Sequence, residues 1–331
     1  MNLSNPSNPS NPSNPSNLSS LLAGRVALVT GAGGGIGRGI ATRFAAAGAA
    51  VAVHCRTSDE GARDVVERIE GSGGRAVVLR GDLTVEDDCR RVVLEAAEWG
   101  GGRLDALVNN AGVQPVQELA GMTVADWRAV VDTNLLGVFA CTQAAAEVMR
   151  GQEGGGSVTH IASIEAARPA PGHAHYCAAK AAVVMHARSA ALEYGPYGIR
   201  VNTVSPGLVD REGLADDWPD GVRRWQQAVP VRRLGRPEDI GDACVFLASP
   251  LASWVSGHDL VVDGGDVGAS HVVKTTVKPF AGAVSGASGS SVRIREPKSP
   301  EDGEGTWADY GAKGAMTDEP REANSQASAE G

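Results

Sequence analysis

Lysine is nearly missing from the body of this chain. Of its five lysines, four (Lys274, Lys278, Lys298 and Lys313) fall after residue 270, and the stretch from Leu21 to Ser270 holds one, Lys180. Everywhere else in that stretch a positive side chain is an arginine or a histidine. Arginine is a planar, permanently charged fork; lysine is a compact point charge on a flexible stem. A chain that avoids lysine and keeps one points to a place where an ammonium is required. That place is Tyr176-Cys177-Ala178-Ala179-Lys180. On a helix, residues i and i+4 share a face, so the ammonium can stand beside the Tyr176 phenol and favour its ionised form. The plainer alternative is a surface pair on an amphipathic helix.

Other absences narrow the field. No apolar run reaches the roughly 18 residues of a membrane span, so no membrane partner is expected. The start lacks the basic region and apolar core of a secretory signal, and a cytoplasmic location is expected. The five cysteines (Cys55, Cys89, Cys141, Cys177 and Cys244) are odd in number and show no CxxC spacing. Reduced thiols are the simplest reading, with no disulfide framework and no metal site. The net charge is -9, and paired arginines are scattered among acids. A nucleic-acid surface is therefore not expected.

What is present is a core between two tails. Residues 4–17 repeat Ser-Asn-Pro, with little apolar surface to bury, so residues 1–20 read as disordered. From residue 271 to residue 331 Gly, Ser, Ala, Glu and Pro dominate with mixed charges, and this segment reads as a mostly unstructured tail. Residues 21–270 are long enough for one α/β domain. Short β-branched runs alternate with helical stretches. The expected strands are Arg25–Thr30, Ala50–His54, Ala76–Arg80, Leu104–Asn109, Ser157–Ala162, Ile199–Val204 and Asp259–Val262. The expected helices lie near 36–47, 59–70, 85–98, 125–150, 176–194 and 238–248. Thr84 with Asp87 and Thr123 with Asp126 resemble capping boxes, and Pro237 sits at a first helical position. The alternation predicts a doubly wound, seven-stranded parallel sheet of the Rossmann kind in a single domain. Ligands of such sheets bind beyond the carboxyl ends of the strands.

Thr30-Gly31-Ala32-Gly33-Gly34-Gly35-Ile36-Gly37 joins the first strand to the first helix. Glycines there let the backbone approach a pyrophosphate, and the helix N-terminus offers free N–H groups. The spacing differs from the commoner GxGxxG, and glycine-rich loops are common, so position between strand and helix carries the reading. The second strand ends in His54-Cys55-Arg56-Thr57, without the acid that usually holds the ribose 2′-hydroxyl of NAD. Arg56 can grip a 2′-phosphate, so NADP is expected, with NAD as the alternative. Otherwise Arg56 is a solvated loop residue.

These residues resemble the short-chain dehydrogenases/reductases of the single-domain type. The resemblance runs from about Gly24 to Gly265. Its motifs occur in order: Thr30-Gly-x-x-x-Gly-x-Gly37, Asp82, Asn109-Asn110-Ala111-Gly112, Asn134, Ser163, Tyr176-x-x-x-Lys180 and Pro206-Gly207. It implies an NAD(P)-dependent oxidoreductase that moves a hydride between the nicotinamide and a ketone or secondary alcohol. By the resemblance Asn134, Ser163, Tyr176 and Lys180 are catalytic. Gly31, Gly35, Ile36, Gly37, Arg56, Asp82, Leu83, Asn109, Ala111, Gly112, Tyr176, Lys180, Pro206 and Gly207 bind the cofactor. Lys180 also bonds the nicotinamide ribose, and Asn134 holds a water that links Lys180 to solvent. A homotetramer or homodimer built on the helices carrying Asn134 and Tyr176 is implied as well.

The chemistry agrees with that assignment. Hydride transfer to a carbonyl leaves an alkoxide that needs a proton, and a free tyrosine has a pKa of about 10. Bringing it near neutrality takes roughly 3–4 kcal/mol, which a nearby ammonium supplies only when the site is closed against water. Ser163 can orient the substrate oxygen or simply cap a turn. Asn134 can relay protons or fix helix packing. Glu165 is a substrate-pocket candidate, while His160, His173 and His175 read as ordinary polar contacts. By the resemblance, Leu208 to Leu234 forms a lid over the substrate, and its mixed charge with Trp218 and Trp225 suggests a polar or moderately sized one. The threonine that often follows Pro-Gly in the family is missing from Leu208-Val209-Asp210-Arg211. A 3-oxoacyl-thioester reductase and a sugar or cyclic-alcohol dehydrogenase are not separated by the sequence. A non-catalytic dinucleotide-binding regulator typically loses the Tyr/Lys pair kept here. A sugar epimerase or dehydratase of the extended branch would need a larger C-terminal substrate domain.

Overall fold

The computed structural model describes residues 20–267. The expectations for the Ser-Asn-Pro repeat and for the C-terminal tail lie outside the described residues. The first half runs β1 (Val26–Val29), α1 (Gly35–Ala46), β2 (Ala50–Cys55), α2 (Asp59–Gly71), β3 (Arg75–Arg80), α3 (Glu86–Trp99) and β4 (Ala106–Asn109). The second runs α4 (Val124–Val131), α5 (Gly137–Arg150), β5 (Gly156–Ile161), α6 (Ala174–Tyr194), β6 (Ile199–Pro206), α7 (Leu214–Asp217), α8 (Pro219–Ala228), α9 (Pro237–Ala248) and β7 (Asp259–Val262). The seven strands form one sheet in the order β3-β2-β1-β4-β5-β6-β7. Every pairing is parallel. The strand order reverses between β1 and β4, and that switch point opens a crevice at the carboxyl ends of the strands.

Both faces of the sheet are covered, which is why the strands read as continuous apolar runs. Alternate side chains feed two separate cores. Ala27, Val29, Val51, Val53, Ala106 and Val108 pack with Ile40 and Phe44 of α1, Val65 and Ile69 of α2, and Ile240 and Leu247 of α9. Val26, Leu28, Ala52 and Leu107 pack on the other face with Val92 and Val93 of α3, Met149 of α5 and Ala187 of α6. All five cysteines are free and buried within this fabric.

Helix boundaries follow local chemistry. At α4 the Thr123 hydroxyl accepts from the Asp126 N–H at 3.2 Å, and the Asp126 carboxylate accepts from the Thr123 N–H at 2.9 Å. Pro237 opens α9. The second expected capping box does not form. Thr84 gives its hydroxyl and N–H to Asp82, at 2.8 and 3.0 Å, and α3 starts after Val85 with no side-chain cap. The expected helix 125–150 is also interrupted. Asp132–Leu136 forms a π-helical turn between α4 and α5. The combined stretch Val124–Arg150 has the length and mean hydropathy, 1.2, of a membrane span, but half of that window is buried inside the fold. Gly137, just after the π turn, meets the loop before α3. A Cβ at that position would lie 2.6 Å from the Leu83 carbonyl oxygen.

Candidate active site

The glycine loop is fixed by its neighbours. The Thr30 hydroxyl accepts from the N–H groups of Asn110 and Ala111, at 2.9 and 3.0 Å. The Asn110 side-chain amide donates to the Thr30 and Gly31 carbonyls, at 2.8 and 3.1 Å. Gly31 has φ +62°, and a Cβ on it would sit 2.8 Å from Ala111 Cα. His54 closes the other side. Its Nδ1 accepts from the Gly31 N–H at 3.1 Å, which leaves Nε2 to donate to the Gly81 carbonyl, also at 3.1 Å. Burial lowers the His54 pKa and keeps this neutral form. Asn110 thus braces the loop, and His54 is a second brace. Neither role has a spacing signal.

Beyond these braces the loop is open. Gly34 precedes α1 with no side-chain cap, and the first turn of α1 holds no acid. A Cβ on Gly34 or Gly35 would meet nothing within 4 Å, and Gly35 adopts φ +48°. Uncapped N–H groups at a helix N-terminus attract anions. Ile36 is half-buried against the core. At the end of β2, Arg56 lies 3.9 Å from the Asp82 carboxylate. Asp82 is held below the usual carboxylate range, chiefly by its bonds from Thr84. Leu83 beside it is buried. Asn109 turns into the protein, toward the Thr142 hydroxyl and His160 Nδ1, each at 3.1 Å. Gly112 faces the far end of the crevice, where a Cβ would lie 3.0 Å from Asn134 Oδ1 and 3.6 Å from Lys180 Nζ. Gly207 follows Pro206, the last residue of β6, and a Cβ there would meet Trp225 Cζ2 at 2.9 Å. Open loop, anion-seeking helix end and close backbone approach together fit a dinucleotide.

Ser163, Tyr176 and Lys180 converge at the end of β5. The Ser163 hydroxyl accepts from the Glu165 N–H at 3.1 Å, and its polarity favours the ionised Tyr176 phenol. Burial pushes the phenol up to about 12, and Ser163 only partly offsets this. Lys180 is buried, its ammonium donating to the Ile161 carbonyl at 2.7 Å and lying 5.5 Å from the centre of the Tyr176 ring. Burial draws its pKa down to about 8. The pair shares a helix face, and the phenol is raised chiefly by burial, with Ser163 opposing and Glu165 and Cys177 adding to the rise. Asn134, in the π turn, is fully buried. Its side chain accepts from the Val113 N–H and donates to the Val113 carbonyl, both at 2.8 Å.

The lid region differs from a plain insertion. Asp210 N–H donates to the Gly235 carbonyl at 2.8 Å, and Gly235 N–H donates to the Leu208 carbonyl at 3.0 Å. These bonds pinch the base of the segment, and α7 and α8 occupy the span between.

Comparison with known proteins agrees with this geometry. A family model described as "Enoyl-(Acyl carrier protein) reductase" matches residues 31–266. The chain is 36% identical over 248 residues to 3beta-hydroxysteroid dehydrogenase 1 of Eggerthella lenta, covering 74% of this chain and 94% of that one. It is 39% identical over 247 residues to L-rhamnose 1-dehydrogenase (NAD(P)(+)) of a Sphingomonas species, covering 74% and 97%. A solved 7 alpha-hydroxysteroid dehydrogenase, complexed with NADH and 7-oxo glycochenodeoxycholic acid, superposes with a TM-score of 0.71 at 37% identity, covering 75% and 97%. The chain belongs to the short-chain dehydrogenase/reductase family, a family of nicotinamide-dependent oxidoreductases.

Proposed function

We propose that this protein interconverts a secondary alcohol and a ketone with NADP(H) or NAD(H). The observation that carries the reading is the convergence of Ser163, Tyr176 and Lys180 at the mouth of the crevice that begins at the glycine loop. Gly31, Gly35, Ile36 and Gly37 would hold the pyrophosphate at the N-terminus of α1. Arg56, Asp82 and Leu83 would take the adenosine end, and Ala111, Gly112, Pro206 and Gly207 the nicotinamide end, while Asn109, turned inward onto Thr142 and His160, would hold the sheet beneath them. The nicotinamide, when bound, accepts or supplies the hydride. Ser163 donates a hydrogen bond to the substrate oxygen and fixes it beside the phenol. A phenol pushed up to about 12 carries its proton at neutral pH. Tyr176 is therefore ready to protonate the oxygen of a reduced carbonyl, and it must be brought down to act as a base on an alcohol. Lys180 lies close enough to help, because a positive charge strengthens as water is excluded. Asn134 holds the Val113 segment, and with it the wall facing Lys180, and would seat a relay water.

Among the described residues Arg56 pairs only with Asp82, at 3.9 Å, and a guanidinium so loosely held supports NADP over NAD. A homodimer or homotetramer on α5 and α6 is supported by exposed Phe139, Met185 and Leu192 on those helices and Leu136 at the end of the π turn before α5. A panel of alcohols and ketones with each nicotinamide, followed by cofactor absorbance, tests the reading. Turnover that vanishes in Tyr176→Phe supports it; unchanged turnover in that variant removes Tyr176 as the acid/base.

A further inference from the structure

A carboxylate stands where a reductase gains nothing from one. Glu165 lies two residues after Ser163, and its N–H is bonded to the Ser163 hydroxyl. Its side chain is only 17% exposed. Gln114 donates to Oε1 at 3.1 Å, and His173 Nδ1 lies 2.9 Å from Oε2. The Cys177 thiol points at the same oxygen from 3.5 Å. Among the described residues no arginine or lysine pairs with Glu165, and its ion-pair partner is His173, charged only when the imidazole is protonated. The His173 ring is 6.1 Å from the Tyr176 ring, which puts the cluster beside the reacting group. Glu165 also raises the Tyr176 pKa. A negative charge there opposes ionisation of the phenol, so it needs an offsetting gain elsewhere.

That gain is available in recognition. A carboxylate offers about four acceptor positions; Gln114 uses one on Oε1, and His173 and Cys177 take those on Oε2. The position left on Oε1 suits a hydroxyl donor. An apolar ring face would leave it desolvated without a partner, and a carboxylate or phosphate on the substrate would be repelled. We propose that Glu165, braced by Gln114 and His173, determines specificity by accepting a hydrogen bond from a second hydroxyl of a neutral polyhydroxy substrate, such as a sugar or cyclic polyol. The inference rests on the alcohol/ketone reading above.

The test uses the full chain with NAD and NADP and compares cyclohexanol with cis- and trans-1,2-cyclohexanediol, 2-aminocyclohexanol and neutral pyranoses. The parent protein should favour a diol or a pyranose over cyclohexanol by roughly 100-fold in kcat/KM, the scale of losing a dedicated hydrogen bond. Glu165→Leu should remove most of that preference, bringing kcat/KM for the diol or pyranose down toward that for cyclohexanol in the same variant. Glu165→Gln should shift the pH profile of kcat/KM to lower pH, since the charge beside the phenol is gone; a merely structural glutamate would leave the profile in place. Equal efficiency of the parent on cyclohexanol and every polyhydroxy substrate overturns the assignment and leaves the alcohol/ketone reading intact. So does a preference for 2-aminocyclohexanol over the diols, which would mark a cation site. No turnover of any alcohol or its ketone overturns both readings. The parent's ratio requires no variant, so it decides the matter even if a substitution prevents folding.

Discussion

Replacing Lys180 by methionine should give a protein that turns nothing over yet melts no lower than its parent. The buried ammonium has its pKa drawn from 10.5 down to about 8. At about 1.4 kcal/mol per unit, keeping it charged costs the fold on the order of 3 kcal/mol at neutral pH. Methionine fills a similar volume without the charge. It also leaves the Ile161 carbonyl without this donor, a loss of about 1–3 kcal/mol. The net is a gain of about 0–2 kcal/mol, and a domain of this size shifts by about 2–4 °C per kcal/mol. The melting temperature should therefore stay level or rise by up to about 8 °C. The sign of the pH dependence is fixed by the direction of the shift. Below about pH 8 both folded and unfolded lysine are charged and the full penalty applies. Between about 8 and 10.5 the folded state sheds its proton first, the unfolded state binds more protons, and the parent's stability from this group rises with pH. The gap between methionine variant and parent should close across that window, because all other titrations are shared. Paired thermal melts at stepped pH, alongside turnover, measure it. A fall of more than about 5 °C with no change in the gap would refute the reasoning, and would show that the bond to Ile161 holds the fold.

Tyr176→Phe should abolish turnover and leave nucleotide affinity, read by fluorescence titration, within a few-fold of the parent. Arg56→Ala should lower kcat/KM with NADPH by about 10- to 150-fold, the worth of a charged hydrogen bond, and alter NADH little; equal losses with both cofactors would make Arg56 a loop residue. Alcohol oxidation should require higher pH than ketone reduction, since the buried phenol titrates near 12 before it can act as a base; coincident pH profiles in the two directions would count against Tyr176. A chain limited to residues 18–270 should fold and keep its activity, because every described strand and helix ends within it; a large drop in melting temperature on truncation would show that the tail docks.

The sheet was legible because each strand is buried on both faces. Asp259–Val262 matches to the residue, and β1 to β6 differ from their expected spans by one or two residues at an end. The π turn at Asp132–Leu136 was not legible, since the apolar pattern around Val130, Leu135 and Val138 runs through it unbroken. It is imposed from outside, by the two bonds that Asn134 makes to Val113. Thr84 carried the spelling of a cap, but Asp82 lies closer and takes its hydroxyl. α8 escaped because Pro219–Ala228 is rich in charge and offers no wide apolar stripe. Tyr176, Lys180 and Ser163 were visible through fixed spacing and a scarce residue type. Gln114 and His173 were not, because what unites them is a third residue, Glu165, that the chain brings between them only after folding.

The braces around the glycine loop have an entropic consequence. Loops of this composition sample many conformations in an unfolded chain, glycine most of all. Here Asn110 and His54 fix the loop from two different strands, so its conformational freedom is lost during folding rather than at the arrival of a ligand. A nucleotide bound there would meet N–H groups already aimed, and less of its binding free energy would go to ordering them. The loop's rigidity is also only as durable as the β1–β4 and β1–β2 pairings that place its braces. Local opening of the sheet at that point should release nucleotide before the rest of the domain unfolds.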